Sequence, residues 1–205
     1  TLLEYNDCRY HISQISSANS VDIIRERKAK VNFSCGVSIN NLSLNENDIG
    51  DFKTFLKLSP PLRTETDRNA LVQGLNDETI DVIVSDHKPE DEENKRLTFA
   101  QAETGASGIE TLLPLSLELY HNGSLALETI IKALTSKPAE ILKINKGNLS
   151  IGNDADFCIV DINKPWVVRK EKLISKSKNT PIEDKKLQGK VISTFVNGEE
   201  LFKSE

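Results

Sequence analysis

The sequence predicts an α/β chain that ends in a smaller β part. Three observations carry this. Strand-like and helix-like segments alternate up to residue 147. A continuous β-branched run, Ile80–Val84, fits a strand buried on both faces, as in parallel sheets. Beyond Gly147 the texture changes to short alternating strands separated by turn formers.

The elements follow in order. Residues 9–16 (RYHISQIS) alternate and predict a strand. A helix follows, with Ser and Asn as N-cap candidates and Val21, Ile24 and Lys28 at helical spacing. Residues 31–39 (VNFSCGVSI) form a second predicted strand, and 40–62 read as loop, with Asn, Asp and Gly before Pro60-Pro61. In 64–77, Thr64 as N-cap, an acidic first turn and Leu71/Leu75 at i,i+4 predict a helix. The buried strand then runs into Ser85-Asp86-His87, followed by a long polar loop over 88–106. Helices are predicted at about 108–121 and 124–136, and near 138–143 with Pro138 in the first turn. We place a boundary near 147, giving an α/β part over 1–147 and a small β part over 148–205. Val196-Asn197-Gly198-Glu199 reads as a hairpin, and the Lys-rich stretch 169–190 as a solvated connection.

Composition narrows the function classes. The 205 residues hold 26 Lys+Arg against 31 Asp+Glu, a net charge of −5. That balance argues against a nucleic-acid binder or an anionic-membrane binder, each of which needs a basic face. No apolar run is long enough to cross a bilayer. Cys8, Cys35 and Cys158 are odd in number and form no C-x-x-C pair. A cytoplasmic setting with each thiol as a small core residue is therefore expected, rather than a disulfide framework or a thiolate zinc site. The chain begins at Thr1 and contains no Met, so it is expected to be a piece of a longer polypeptide.

In parallel βα architecture, ligands meet the carboxyl ends of strands. Asp86 and His87 stand there, and a carboxylate at that place can hold a metal or act as a general base. The plainer reading is an Asp that caps a turn beside a polar loop His. His11, inside a strand, and His121, near a helix C-terminus, fit structural roles. The run Glu90-Asp91-Glu92-Glu93 reads as a solvated loop.

Several segments together resemble the dihydroorotase family of amidohydrolases. YHISQISSANSVDIIRERKA resembles a family strand carrying H-x-x-H-(V/I)-S-T and its following helix. KLSPPLRTETDRNALVQGLNDETIDVIVSDHKP resembles the N-P-P-L-R-x-x-x-D-R…DGTIDxIxTDHAP block, and GASGIETLLPLSLEL resembles G-x-x-G-x-E-T-x-L-P. KPAEILKINKGNLSIGNDADFCIVD and SKSKNTPIEDKKLQGKVISTFVNGE resemble the family's closing segments. The likeness runs nearly end to end, in order and at matching spacings.

The resemblance implies the C-terminal part of a (β/α)8 barrel followed by strands of a small β-sandwich. It implies reversible hydrolysis of dihydroorotate to carbamoyl aspartate in pyrimidine synthesis. It also implies one or two zinc ions that activate water, with Asp86 as the proton-shuttling acid and a metal contact. The second His of H-x-x-H, a metal ligand, falls at Gln14, and an amide is a poor zinc ligand beside imidazole. The substrate-contacting Asn falls at Ser59, the substrate-contacting His at Glu90, and a backbone-contacting Pro-Phe-Gly at Glu103-Thr104-Gly105. A carboxylate at position 90 repels an anionic substrate. Ser59, Glu90, Thr104 and Gly105 are the expected substrate positions, Gln14 and Asp86 the metal positions. Bound zinc is expected to be weak or absent, and activity weak or absent.

The alternatives are a non-catalytic scaffold for aspartate transcarbamoylase and an active enzyme on a related cyclic amide. A full barrel needs about 250 residues. The expected partners are therefore the missing N-terminal half of the barrel, a second copy in a homodimer, or aspartate transcarbamoylase, with no nucleic acid or membrane.

Overall fold

A computed structural model describes residues 2–6 and 8–204. After a short helix α1 (Leu2–Tyr5), strand and helix alternate: β1 (His11–Ile15), α2 (Ala18–Lys28), β2 (Ser34–Ser38), α3 (Ile39–Ser43), α4 (Glu65–Asn76) and β3 (Val82–Val84). The strands form one parallel sheet in the order β1-β2-β3. Parallel pairing brings the three carboxyl ends to one edge. That edge receives Gln14, Ser38 and the residues after Val84.

Local chemistry explains α2 and α4. Ser17 caps α2 by accepting from the Ser20 amide at 3.3 Å. Val21 and Ile24 supply its buried stripe, and Arg25, Arg27 and Lys28 complement the dipole of its last turn. Thr64 caps α4 in the same way, with Glu65 and Asp67 in its first turn. Asp67 also accepts from the Ala18 amide at 2.8 Å, which ties the start of α4 to the start of α2. β2 is buried from Cys35 to Ser38, as a strand covered on both faces must be. Asp81 accepts from the Cys35 amide at 2.8 Å and from Lys28 at 2.6 Å, so helix, strand and the entry to β3 share one carboxylate.

Beyond β3 come α5 (Glu92–Lys95), α6 (Leu112–His121), α7 (Leu127–Leu134) and α8 (Ser136–Leu142). The second sheet is antiparallel: β4 (Phe157–Val167) pairs with β5 (Lys186–Val196), which pairs with β6 (Glu199–Lys203). Asn197 and Gly198 both take positive φ, 51° and 82°, as a tight primed hairpin turn requires. One apolar core joins Val37, Ile39, Leu42, Leu71, Leu115 and Ile130 to Val168, Leu173, Ile182 and Leu187 from the later segment.

Four expectations need correction. Residues 40–62 are not plain loop: α3 and two short 3₁₀ turns, Glu46–Ile49 and Thr54–Leu56, lie there. Ser38 caps α3, and Asn45 and Asp48 form a reciprocal capping box, so the polar residues that read as loop act as caps. The 88–106 loop contains α5, whose Lys95 is buried. The 169–190 stretch is not simply solvated, because Leu173, Asn179, Thr180 and Ile182 are buried while Lys170, Lys172, Lys176 and Lys186 are exposed. Of the cysteines only Cys35 is a core residue; Cys8 and Cys158 are exposed.

Candidate functional site

The site is built where the three parallel strands end. Gln14 lies on β1, Ser38 closes β2, and Asp86 stands two residues past β3 with φ 50°. That left-handed backbone, tolerated by Asp better than by most side chains, turns the chain sharply off the sheet. Asp86 Oδ1 accepts from Gln14 Nε2 at 2.9 Å, and Oδ2 accepts from Ser38 Oγ at 3.2 Å. Both carboxylate oxygens therefore meet neutral donors of this chain, in half-buried surroundings. Such bonds orient the carboxylate.

The neighbouring His side chains are engaged elsewhere. His87 Nδ1 accepts from the amides of Gly108 and Ile109 at 3.1 and 3.4 Å, which leaves the proton of the neutral ring on Nε2. His87 also bridges Ala106, so the turn after Asp86 is fastened to the loop returning at 106. His11 Nδ1 pairs with Ser34 Oγ at 2.7 Å, and His121 Nε2 meets the Ile162 carbonyl at 2.9 Å. Both ring nitrogens thus meet oxygens of this chain.

These residues do not make a metal cage on their own. Among the described residues no group of three or more His, Cys, Asp or Glu stands where a cation would be shared. Asp86 is a possible ligand by chemistry. Its neighbours, however, are an amide that offers its NH2 and a hydroxyl that offers its proton. Among the described residues, both carboxylate oxygens have a donor partner without a cation beside them.

The substrate positions expected from sequence fall on the loops around this edge. Ser59 is exposed and precedes Pro60 through a cis peptide bond. Glu90 lies with its side chain only 16% exposed, 3.5 Å from Lys88 Nζ and 3.5 Å from Asn94 Nδ2. Thr104 Oγ1 accepts from Lys88 Nζ at 3.2 Å. The Gly105 amide donates to the Lys57 carbonyl at 3.0 Å, and its carbonyl accepts from Asn179 Nδ2 at 3.1 Å. Glu90, Thr104 and Gly105 therefore share one polar network with Lys88 and Asn179. No hydrogen bond links Ser59 to that network among the described residues.

Three contributors were not singled out in the sequence. Ser38 reads only as the last residue of a predicted strand, although a small hydroxyl at a parallel strand's carboxyl end is a usable signal. Asn179 gathers the loops: its Oδ1 accepts from Ser107 Oγ at 3.1 Å, Ser177 Oγ at 2.5 Å and the Glu90 amide at 3.3 Å. Its distance in sequence from these partners hides it. Lys95, 2% exposed, donates to the carbonyls of Glu103 at 2.7 Å, Thr54 at 3.2 Å and Lys57 at 3.5 Å. Burial pushes its amine down to about 8. A lysine inside a charged run reads as surface, so nothing local marks it.

Comparison with known proteins places the fold among amidohydrolases. The model of the amidohydrolase family matches residues 8–201. The dihydroorotase of Ehrlichia chaffeensis is 42% identical over 197 residues, 96% of this chain and 44% of that protein. The dihydroorotase of Anaplasma phagocytophilum is 40% identical over 205 residues, all of this chain and 46% of that protein. Among solved structures, the L-hydantoinase (dihydropyrimidinase) of Arthrobacter aurescens superposes with a TM-score of 0.94 at 27% identity, covering 98% of this chain and 46% of that one. The chain thus spans about half the length of the curated relatives it matches. With the family model matching residues 8–201, the chain belongs to the amidohydrolase family, and its likeness to dihydroorotases runs along its whole length.

Proposed function

We propose that this chain is part of a dihydroorotase-type protein whose hydrolysis of dihydroorotate is weak or absent. In this reading the parallel sheet is a portion of a (β/α)8 barrel, and the antiparallel strands are a portion of a small β-sandwich. The observation that carries it is the 2.9 Å hydrogen bond from Gln14 to Asp86, made where the resemblance expects an imidazole metal ligand. An amide aimed donor-first at the acid contributes nothing to zinc affinity. Glu90 adds a carboxylate at the mouth, where an anionic ring must enter. Ser59, Thr104 and Gly105 are the remaining substrate-facing positions. Asp86 is the acid that would hold or move the reacting proton, and zinc would take its other ligands from outside this chain.

The test is dihydroorotate and carbamoyl aspartate turnover by the whole polypeptide, with zinc counted after dialysis. We expect substoichiometric zinc and turnover near background. Stoichiometric zinc with brisk turnover that Asp86→Ala abolishes would overturn this and establish an active amidohydrolase. The retained Asp86-His87 pair at the strand end favours that second reading. A scaffolding role beside aspartate transcarbamoylase is the natural companion of the inactive reading. It predicts co-elution of the two proteins in size-exclusion chromatography.

A further inference from the structure

The side chain of Lys95 is buried where three segments meet. Three backbone carbonyls converge on its Nζ: Glu103 at 2.7 Å, Thr54 at 3.2 Å and Lys57 at 3.5 Å. An ammonium carries three N–H donors and no acceptor, so three carbonyls match it donor for donor. The neutral amine has one donor fewer and would turn its lone pair on a carbonyl. An amine lowered to about 8 still carries its proton at pH 7. Glu90 and Glu103 favour that charge from nearby, against Lys57 and Lys88. The contacts close on themselves. The Lys95 carbonyl accepts from Thr54 Oγ1 at 2.5 Å, and the Glu103 amide donates to the Asn94 carbonyl at 3.2 Å. The three acceptors differ in what else they hold. The Thr54 carbonyl also accepts from the Lys57 amide, and the Lys57 carbonyl from the Gly105 amide, both at 3.0 Å. Among the described residues no other donor reaches the Glu103 carbonyl.

We propose that the carbonyls of Thr54, Lys57 and Glu103 form a site for a primary ammonium ion, filled in this protein by its own Lys95, and that this tethered cation positions the 103–105 loop. This rests on the functional reading above only in placing that loop at the mouth of the site. A cation carried on a side chain cannot dissociate, so the loop is pinned without any bound ion. The unequal acceptors fix where the structure gives way. Without the ammonium, the Thr54 and Lys57 carbonyls each keep an amide donor, and the Glu103 carbonyl is stranded. The 103–105 loop therefore loosens first, while α4, which makes no contact with the amine, stays as it is.

The experiment is amide hydrogen exchange on the whole polypeptide at neutral pH. Peptides covering 103–105 report the loop, and peptides covering α4 serve as the internal reference. Lys95→Met keeps nearly the length of the side chain and removes the ammonium. We expect exchange over 103–105 to quicken about tenfold, the factor for one lost hydrogen bond to a charged group, with α4 unchanged. Lys95→Ala should behave alike, and propylammonium, which replaces the atoms removed, should restore the slow rate. Tetramethylammonium, a cation with no N–H, should not. Unchanged exchange over 103–105, an equal rise in α4, no restoration by propylammonium, or equal restoration by tetramethylammonium would each overturn the proposal. Wild type decides the matter even where the variants fail to fold. Its proton–nitrogen NMR spectrum should show a slowly exchanging NH3+ group with Overhauser contacts to Thr54 and Glu103, and the lack of that signal would overturn the proposal as well. No readout involves turnover, so an active dihydroorotase would overturn the functional reading and leave the Lys95 site standing.

Discussion

Gln14 and Asp86 lie 72 positions apart and meet at 2.9 Å, amide nitrogen to carboxylate oxygen, across the carboxyl ends of β1 and β3. Only parallel pairing of β1, β2 and β3 brings them together, because it sends all three strand ends to one edge. Ser38, on the strand between, completes the set from the other oxygen. The acid is thus held by the sheet itself.

Removing the Gln14 donor should be felt as stability. Gln14→Leu leaves Asp86 with Ser38 as its remaining side-chain donor, in half-buried surroundings. The expected loss is about 1.5–3 kcal/mol, the range for a hydrogen bond to a charged acceptor. A urea midpoint unchanged from wild type would show that the bond does not contribute.

Replacing the same residue by the family's imidazole tests the chemistry. Gln14→His exchanges an amide for a strong metal ligand. Zinc retained after dialysis should rise at least severalfold over wild type. Equal zinc content in the two proteins would mean that position 14 does not govern metal binding.

Asn179 predicts a local failure. Asn179→Ala leaves the Glu90 amide, the Ser107 and Ser177 hydroxyls and the Gly105 carbonyl short of a partner. A loss of about 2–3 kcal/mol is expected from stranding buried polar groups. Limited proteolysis should then cut within 169–186 sooner than in wild type. Unchanged cleavage would show that Glu110, which caps the Ile174 and Ser175 amides, holds the segment alone.

Gly189 couples the two sheets through α6. It sits at φ 105°, and a Cβ built there would stand 2.3 Å from Cδ1 of the fully buried Leu117. Its carbonyl accepts from Trp166 Nε1 at 3.1 Å. Gly189→Ala should cost about 2–4 kcal/mol through strain and overpacking together. Adding Leu117→Ala should cost less than the two single losses summed, since it removes the clash. Strict additivity in thermal unfolding would exclude that contact.

Acid should unlock the start of α4. Arg68, with help from Asn45, holds the Glu65 carboxyl down to about 2, well below its ordinary 4.5. A lowered carboxylate stabilises the fold above pH 4.5, and that contribution fades as the pH falls toward 2. The group is largely exposed, so the effect is small and weakens with salt. Glu65→Gln should flatten this part of the pH–stability curve. An identical slope in the variant would assign it to other acids.

The chain's own chemistry determined a good deal without coordinates. The alternation of β1, α2, β2, α4 and β3 followed from periodicity and caps, because Ser17 and Thr64 act on amides three residues away. The Asn197-Gly198 hairpin followed from the two positive φ values its turn demands. Asp86 was legible as the strand-end acid because a short buried β-branched run points its following residue at the open edge. What tertiary structure alone decided lies in pairs far apart in sequence. Lys95 looked like one more charge in an acidic run until folding buried it under the carbonyls of residues 54, 57 and 103. Asn179 looked like part of a solvated connection until folding set it between Gly105 and Ser107. Local pattern records the hydrogen bonds a segment makes with itself. Desolvation and long-range pairing depend on which distant segments arrive, and only the fold supplies that.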